Sequence, residues 1–398
     1  MTLVQSKHVF SGRLSQMEES STMLVMLAAQ KLKAEGVDVV DLGAGEPDFN
    51  TPDNIKEAAK RAIDRNFTRY TPVAGVPQLR DAILYRYRED FGVERKREEV
   101  IATVGGKHSI FNILMTLVNP ADEVIIPAPY WVTFPQVVHL CGGRPVTLQT
   151  APEEGFKVTL DSVSRHLTKR TRVLILNSPC NPTGAVIPKA EFLRICELAA
   201  QHDVYVLSDE CYQRFLYDGG APYTAAAVPE ELRHRVVVSG SLSKTYAMTG
   251  WRLGYTIGPA DLIGQIAKVQ GHETSNPCSI AQAAAIEALT GPQESAQKMI
   301  QEYQRRRDFL VPALNGLPGI RCFKPEGAFY VYPDIRGCLK GEMRTSDDFA
   351  TRLLREAHVA LTPGSGFGVD GFVRISYAAA YSALEEAVRR LGEFLRKL

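Results

Sequence analysis

Between residues 99 and 240 the chain repeats one pattern: a short, unbroken apolar run, then a stretch long enough for a helix. The runs are Ile101-Ala-Thr-Val, Glu123-Val-Ile-Ile-Pro, Arg172-Val-Leu-Ile-Leu, Val204-Tyr-Val-Leu-Ser and Arg235-Val-Val-Val-Ser. A strand with one wet face alternates apolar and polar residues, and these do not. Such strands are buried on both faces, which is the condition of a parallel sheet covered by helices. Helices are predicted over 109–118 and 188–201. The expected fold is therefore α/β, with a mostly parallel sheet covered by helices.

Upstream, 15–35 reads as a helix, 37–42 as a short strand, and 53–65 and 77–90 as helices. After residue 280 the character changes. Helices over 279–290 and 293–315 lead the chain away from the sheet, and strands (328–332 and 372–377) then mix with helices (346–357 and 381–397). These patterns predict a large domain over 46–292, a smaller α+β domain over 293–398, and an N-terminal segment, 1–45, packed with the smaller one. Charge is nearly balanced, 46 basic against 45 acidic residues, which gives no electrostatic case for nucleic acid or an anionic membrane. No apolar run approaches a membrane span, and the first residues lack a signal-peptide layout. Seven scattered cysteines with no Cys-x-x-Cys argue against a disulfide framework or a metal site, and fit a reducing cytoplasm.

Five segments carry chemistry. In Gly240-Ser-Leu-Ser-Lys-Thr-Tyr-Ala-Met-Thr-Gly-Trp-Arg252, Lys244 has small, apolar or hydroxylated neighbours. Desolvation lowers a lysine pKa, and a neutral lysine can form a Schiff base with an aldehyde. Ser241, Ser243 and Arg252 are placed to gather round a phosphate. Aldehyde plus phosphate describes pyridoxal 5′-phosphate (PLP). Asn181, in Asn177-Ser-Pro-Cys-Asn-Pro-Thr-Gly184, and Asp209 and Tyr212, in Ser208-Asp-Glu-Cys-Tyr212, each follow a strand, at the sheet edge where α/β proteins bind ligands. Alone, the first reads equally as a structural turn and the second as a helix N-cap. Gly105-Gly106-Lys107-His108 joins a strand to a helix, an arrangement that receives anions on free N–H groups. Trp131, in Pro127-Ala-Pro-Tyr-Trp131, suits stacking on an aromatic ring, or filling a core. Two glycine runs resemble dinucleotide fingerprints. Gly43-Ala-Gly45-Glu-Pro-Asp48 lacks the third glycine and an immediate helix, and Gly366-Phe-Gly-Val-Asp-Gly371 precedes a strand instead of a helix.

In this order the motifs make the chain resemble the class I PLP-dependent aminotransferases of PLP fold type I, in the bacterial aspartate aminotransferase branch. The resemblance runs from Ala44-Gly-Glu-Pro-Asp-Phe49 and Arg69-Tyr-Thr-Pro-Val-Ala-Gly75 to Arg374-Ile-Ser-Tyr377. It implies that Lys244 holds PLP as an internal aldimine and moves the proton at Cα, that Asp209 keeps the pyridine nitrogen protonated, and that Tyr212 and Asn181 hydrogen-bond the ring oxygen. Trp131 would stack on the ring. The phosphate would lie on the Gly106–Lys107 backbone, Ser241, Ser243 and Arg252, with Tyr70 reaching it from the other subunit of a homodimer. Arg374, with Gly45, would grip the substrate α-carboxylate.

In the animal-type branch a partner arginine in the segment matching about 271–277 binds the distal carboxylate. Here that segment reads Gly-His-Glu-Thr-Ser-Asn-Pro. The bacterial branch implies Thr22 and Lys107 instead, a pair that also resembles enzymes accepting prephenate. His108 and Cys180 stand where many relatives carry glutamine and asparagine. The expected activity is ping-pong transamination between an L-amino acid, aspartate above all, and 2-oxoglutarate. Aromatic or prephenate transamination, another fold type I PLP reaction (a lyase or decarboxylase), and a PLP-binding regulator or inactive scaffold are the alternatives. Regulators of this kind carry an added DNA-binding domain, for which this chain has no basic segment, and an inactive scaffold would have lost Lys244, Asp209 or Arg374.

Overall fold

A seven-stranded sheet forms the centre of the molecule, its strands running from edge to edge as Val100–Thr103, Gly254–Ile257, Val236–Ser241, Tyr205–Asp209, Thr171–Asn177, Glu123–Ala128 and Arg144–Gln149. The computed structural model describes residues 11–12, 14–17 and 21–398, apart from the side chains of residues 16 and 21–23. In chain order the strands are β1 (Val40–Asp41), β2 (Val100–Thr103), β3 (Glu123–Ala128), β4 (Arg144–Gln149), β5 (Thr171–Asn177), β6 (Tyr205–Asp209), β7 (Val236–Ser241), β8 (Gly254–Ile257), β9 (Tyr330–Val331), β10 (Val359–Ala360), β11 (Thr362–Pro363) and β12 (Val373–Ser376). The helices are α1 (Ser21–Ala34), α2 (Asp53–Asp64), α3 (Pro77–Phe91), α4 (Gly106–Leu117), α5 (Thr133–Leu140), α6 (Leu160–Ser164), α7 (Lys189–Gln201), α8 (Ala260–Glu273), α9 (Ser279–Thr290), α10 (Glu294–Asn315), α11 (Ser346–Ala357) and α12 (Tyr381–Leu395).

Alternate residues of each central strand enter different cores. Leu174 and Leu176 pack with α3, α7 and α9 through Ile83, Phe192 and Ala284. Val173 and Ile175 pack with α4, α5 and α8 through Ile113, Phe134 and Ile266. Burial on both faces is what the unbroken apolar runs require. Only β8 opposes the others. It pairs antiparallel with β7 and β2, because the 242–253 connection holds no crossover helix and returns the chain directly.

A third apolar cluster joins α10, α11 and α12 to the short sheets β11-β12-β9 and β1-β10, through Leu310, Phe349, Leu353, Leu384 and Phe394. The parallel β1–β10 pair ties the N-terminal segment to this cluster. Among the described residues no helix is long and apolar enough to cross a membrane.

Several boundaries differ from the sequence reading. The strand expected over 37–42 shrinks to Val40–Asp41, because β10, its partner, is itself only two residues long. The helix expected from 109 begins three residues earlier, at Gly106, since Gly105 at φ 84° turns the chain there. Helices α5 and α8 and strands β4 and β8 carry weaker patterns and were not anticipated. Strand β4 is largely exposed at the sheet edge, so it lacks the two-sided apolar signature of its neighbours. After Ser208-Asp209 the chain makes turns and starts no helix, so Ser208 is not an N-cap.

Candidate active site

The parallel strands deliver their carboxyl ends to one edge, and register decides which residues meet there. Asn177 on β5 lies beside Asp209 on β6, and Asp209 lies beside Ser239 on β7. Ser241 and Thr103 both pair with Gly254 of β8. The 242–253 connection, with Lys244, therefore arches over the ends of β5, β6 and β7, close to the start of α4.

Lys244 is half-buried, and its Nζ donates to the carbonyl of Gly45. Burial holds its ammonium below the usual lysine range, reinforced by the Arg374 and Arg252 charges and opposed by Cys211 and Glu46. Asp209 is buried, and burial pushes its carboxyl up to about 7, against the Cys211 N–H and the Lys244 charge. The Cys211 N–H donates to Asp209 Oδ1 at 3.2 Å. Burial first, then Asp209, push the Cys211 thiol up to about 12, so it stays a thiol and is no nucleophile at neutral pH. Burial raises the Cys180 thiol too. Cys180 faces the carbonyl of Pro129, with Sγ to O at 3.6 Å.

Arg374 is 2% exposed. Its Nη1 donates to Asn181 Oδ1 at 3.1 Å, and its Nη2 donates to the Gly43 carbonyl at 2.7 Å and to Thr362 Oγ1 at 3.4 Å. Among the described residues its Nε has no partner and no carboxylate pairs with it. Because arginine only donates, Asn181 must present its oxygen here, which leaves its Nδ2 directed elsewhere. The ring of Tyr330 lies 4.6 Å under the guanidinium. The Asn181 N–H donates to Asn177 Oδ1 at 2.8 Å, and Asn177 Nδ2 donates to the Asp209 carbonyl at 3.1 Å. One amide thus fixes two site residues.

Beside this group lies an anion cradle. Helix α4 starts at Gly106 with no side-chain cap, so its first N–H groups are free, as at any uncapped helix start. Ser243 N and Ser243 Oγ both lie within hydrogen-bond reach of Ser241 Oγ, at 3.1 and 2.9 Å. Arg252, in a left-handed conformation at φ 54°, donates to the Thr249 carbonyl at 2.9 Å and has no carboxylate partner among the described residues. A Cβ on Gly105 would lie 2.6 Å from Arg252 Nη2, so glycine is what leaves this cradle open.

From the cradle opens a cleft of about 820 Å³, bordered by Lys107, His108, Phe111, Tyr130, Val132 and Arg252. Lys107 is exposed, with its Nζ 5.1 Å over the Trp131 ring. Desolvation of the ammonium against its surroundings, then the Arg252 charge, lower its pKa. His108 Nδ1 accepts from the Val104 N–H at 3.0 Å, so the ring proton sits on Nε2, which faces Glu273 Oε2 at 2.9 Å. Tyr70 is 92% exposed on this chain. The side chain of Thr22 lies outside the described residues.

The model for the family described as aminotransferase class I and II matches residues 37–391. The chain belongs to that family. An aspartate/prephenate aminotransferase of Cereibacter sphaeroides is 46% identical over 96% of this chain and 98% of its own length. An aspartate aminotransferase of Bacillus sp. strain YM-2 is 40% identical over 98% of this chain and all of its own. Among solved structures, the aspartate aminotransferase of Rhizobium meliloti superposes with a TM-score of 0.94 at 40% identity, covering 98% of this chain and all of that one. That of Thermus thermophilus with maleate gives 0.91 at 41% identity, over 97% and 99%.

Two residues that meet the predicted ones at this candidate site were not singled out by the sequence reading. Asn177 was visible as part of a turn motif, but its bridging amide was not. Tyr330 lies in an expected strand, yet its hydroxyl meets Tyr212 across 118 residues of sequence, at 2.8 Å. Local spacing carries no signal of that meeting.

Proposed function

We propose that this chain transfers the amino group of an L-amino acid, aspartate above all, to 2-oxoglutarate, using PLP held at Lys244. One observation carries the reading: Arg374 is buried, faces only neutral acceptors among the described residues, and shares the Gly43–Gly45 backbone with Lys244. A buried guanidinium of this kind calls for a planar anion. Carboxylate grip and amine are then spaced through one short loop, as an α-amino acid requires. The names of the relatives, aspartate and aspartate/prephenate aminotransferases, agree with this.

The residues present fit the cofactor. The cradle of α4, Ser241, Ser243 and Arg252 suits a phosphate. Asp209, a buried carboxyl with no salt bridge among the described residues, suits a protonated pyridine nitrogen, whose charge would hold it as the carboxylate. Bound there, PLP supplies an aldehyde that captures the amino group and a conjugated ring that draws electron density from Cα. Lys244 Nζ, kept available in its neutral form by desolvation, takes the proton from Cα and returns it. Asp209 keeps the ring nitrogen protonated. Asn181 Nδ2 and the Tyr212 hydroxyl donate to the ring oxygen, and Trp131 covers the ring. Arg374, with Gly45, orients the α-carboxylate. Lys107, together with Thr22, receives the distal carboxylate.

The proposal extends to a homodimer with shared sites, in which Tyr70 reaches the neighbouring phosphate. Its 92% exposure supports this, as do the exposed apolar side chains of Leu24, Leu27 and Ile63. We also infer a division into 1–45 with 293–398, and 46–292, and a cytoplasmic location, which seven free thiols suit. A second reading, prephenate or aromatic substrates, is favoured by the apolar wall of Phe111, Tyr130 and Val132 in the cleft.

Absorbance tests the function. Aspartate should convert the visible band of the holoprotein to that of the pyridoxamine form, and 2-oxoglutarate should restore it. Release of ammonia or carbon dioxide instead would establish a lyase or decarboxylase. Lys244→Ala should abolish turnover with an unchanged circular dichroism spectrum, and wild-type turnover in that variant refutes the mechanism.

A further inference from the structure

We propose that Tyr330 is a positioning residue for this site: it donates its O–H to Tyr212, which leaves the Tyr212 proton directed at the cofactor's ring oxygen. The inference rests on the cofactor reading above and adds to it the direction of one hydrogen bond.

The direction follows from counting donors. The Tyr330 and Tyr212 hydroxyls lie 2.8 Å apart, and each has one proton. Tyr330 is fully buried. Its other close neighbours are the Arg374 guanidinium over its ring face, which only donates, and Gly45, where a Cβ would stand 2.9 Å from the Tyr330 hydroxyl. The one acceptor the described residues offer its proton is Tyr212 Oη. If Tyr212 instead donated to Tyr330, the Tyr330 proton would be buried without a partner, which is costly; when Tyr330 donates, the Tyr212 proton has the cofactor's ring oxygen as its acceptor. Donation by Tyr330 polarises the Tyr212 O–H and makes it a stronger donor in turn.

The framework is built to hold this geometry. The carbonyl of Ala328, two residues before Tyr330, accepts from the hydroxyls of Tyr217 and Tyr377. The Ala328 N–H donates to the Phe215 carbonyl at 3.0 Å. Tyr330 itself pairs with Ser376 across β9 and β12. The Tyr212 ring meets Tyr330 edge-on at 5.7 Å. The charged and titratable groups facing the pair are Arg374 from β12, Cys211 next to Tyr212, and Lys244, whose Nζ lies 6.0 Å over the adjacent Phe329 ring.

A pH titration of the visible band of the holoprotein tests the proposal. A hydrogen bond to the ring oxygen favours deprotonation of the lysine-bound cofactor, so weakening it raises the midpoint. Tyr330→Phe should raise the midpoint by about half a pH unit, less than Tyr212→Phe does. In the Tyr212→Phe background, Tyr330→Phe should add nothing. Measured below both midpoints, affinity for an unreactive dicarboxylate should stay near wild type in Tyr330→Phe, which keeps the ring under Arg374. In Tyr330→Leu it should fall about fivefold. A wild-type midpoint in Tyr330→Phe, or the same rise with and without the Tyr212 hydroxyl, overturns the proposal while leaving the cofactor reading intact. A protein that forms no visible band with PLP overturns the cofactor reading itself.

Discussion

Asp209→Asn separates what the site contributes to chemistry from what it costs in stability. In the apoprotein the Asp209 carboxyl titrates at about 7, against 3.8 for an ordinary aspartate. A carboxyl raised in the folded state binds more protons folded than unfolded between those two values. Stability therefore falls as pH rises from about 4 to about 7, and is level above that. At 1.36 kcal/mol for each tenfold, the whole displacement is worth about 4 kcal/mol, and about 2 if water relaxes half of it. Asparagine keeps the shape and can still accept the Cys211 N–H, but it never ionises. Urea unfolding of the two apoproteins should find the variant about 2–4 kcal/mol more stable at pH 8, with the gap closing toward pH 4. Loading with cofactor should reverse the order, because only the carboxylate pairs with a protonated ring nitrogen. A variant no more stable than wild type at pH 8, or a gap independent of pH, would refute the reasoning.

Other substitutions probe the remaining parts of the site. Gly105→Ala, at φ +84° and against Arg252, should weaken PLP binding at least about tenfold by equilibrium dialysis while circular dichroism is unchanged. Arg374→Lys keeps the charge but loses the fork, so kcat/KM for aspartate should fall about 100-fold, with spectral evidence of bound cofactor retained. Lys107→Ala should raise KM for aspartate about tenfold and spare monocarboxylate donors such as phenylalanine; equal effects on both would remove its role at the distal carboxylate. Asp48→Ala leaves the buried Arg306, which Asp48 holds at 2.8 and 2.9 Å, with Glu302 and the Tyr377 carbonyl, and should cost about 2–3 kcal/mol in thermal or chemical unfolding.

The sequence determined the central sheet and the identity of most residues around the site. Unbroken runs such as Arg172-Val-Leu-Ile-Leu demand apolar contact on two faces, and strand ends such as Asn177 and Asp209 must then emerge at one edge. Both are consequences of local geometry, period two and chain direction, so a linear text carries them. Strand β4 was not legible, because an exposed edge strand lacks that signature. Register belongs to the tertiary structure: it sets Asn177 beside Asp209 and Ser241 across from Gly254. Burial belongs there too. Only packing removes water from Asp209 and Lys244, and that removal is the largest cause of their shifted titration. The Tyr330–Tyr212 contact and the setting of Arg374 among neutral acceptors arise where the third cluster meets the sheet edge, through contacts between residues far apart in the chain. No local period encodes such contacts, since their energy comes from which surfaces the whole chain finally buries together.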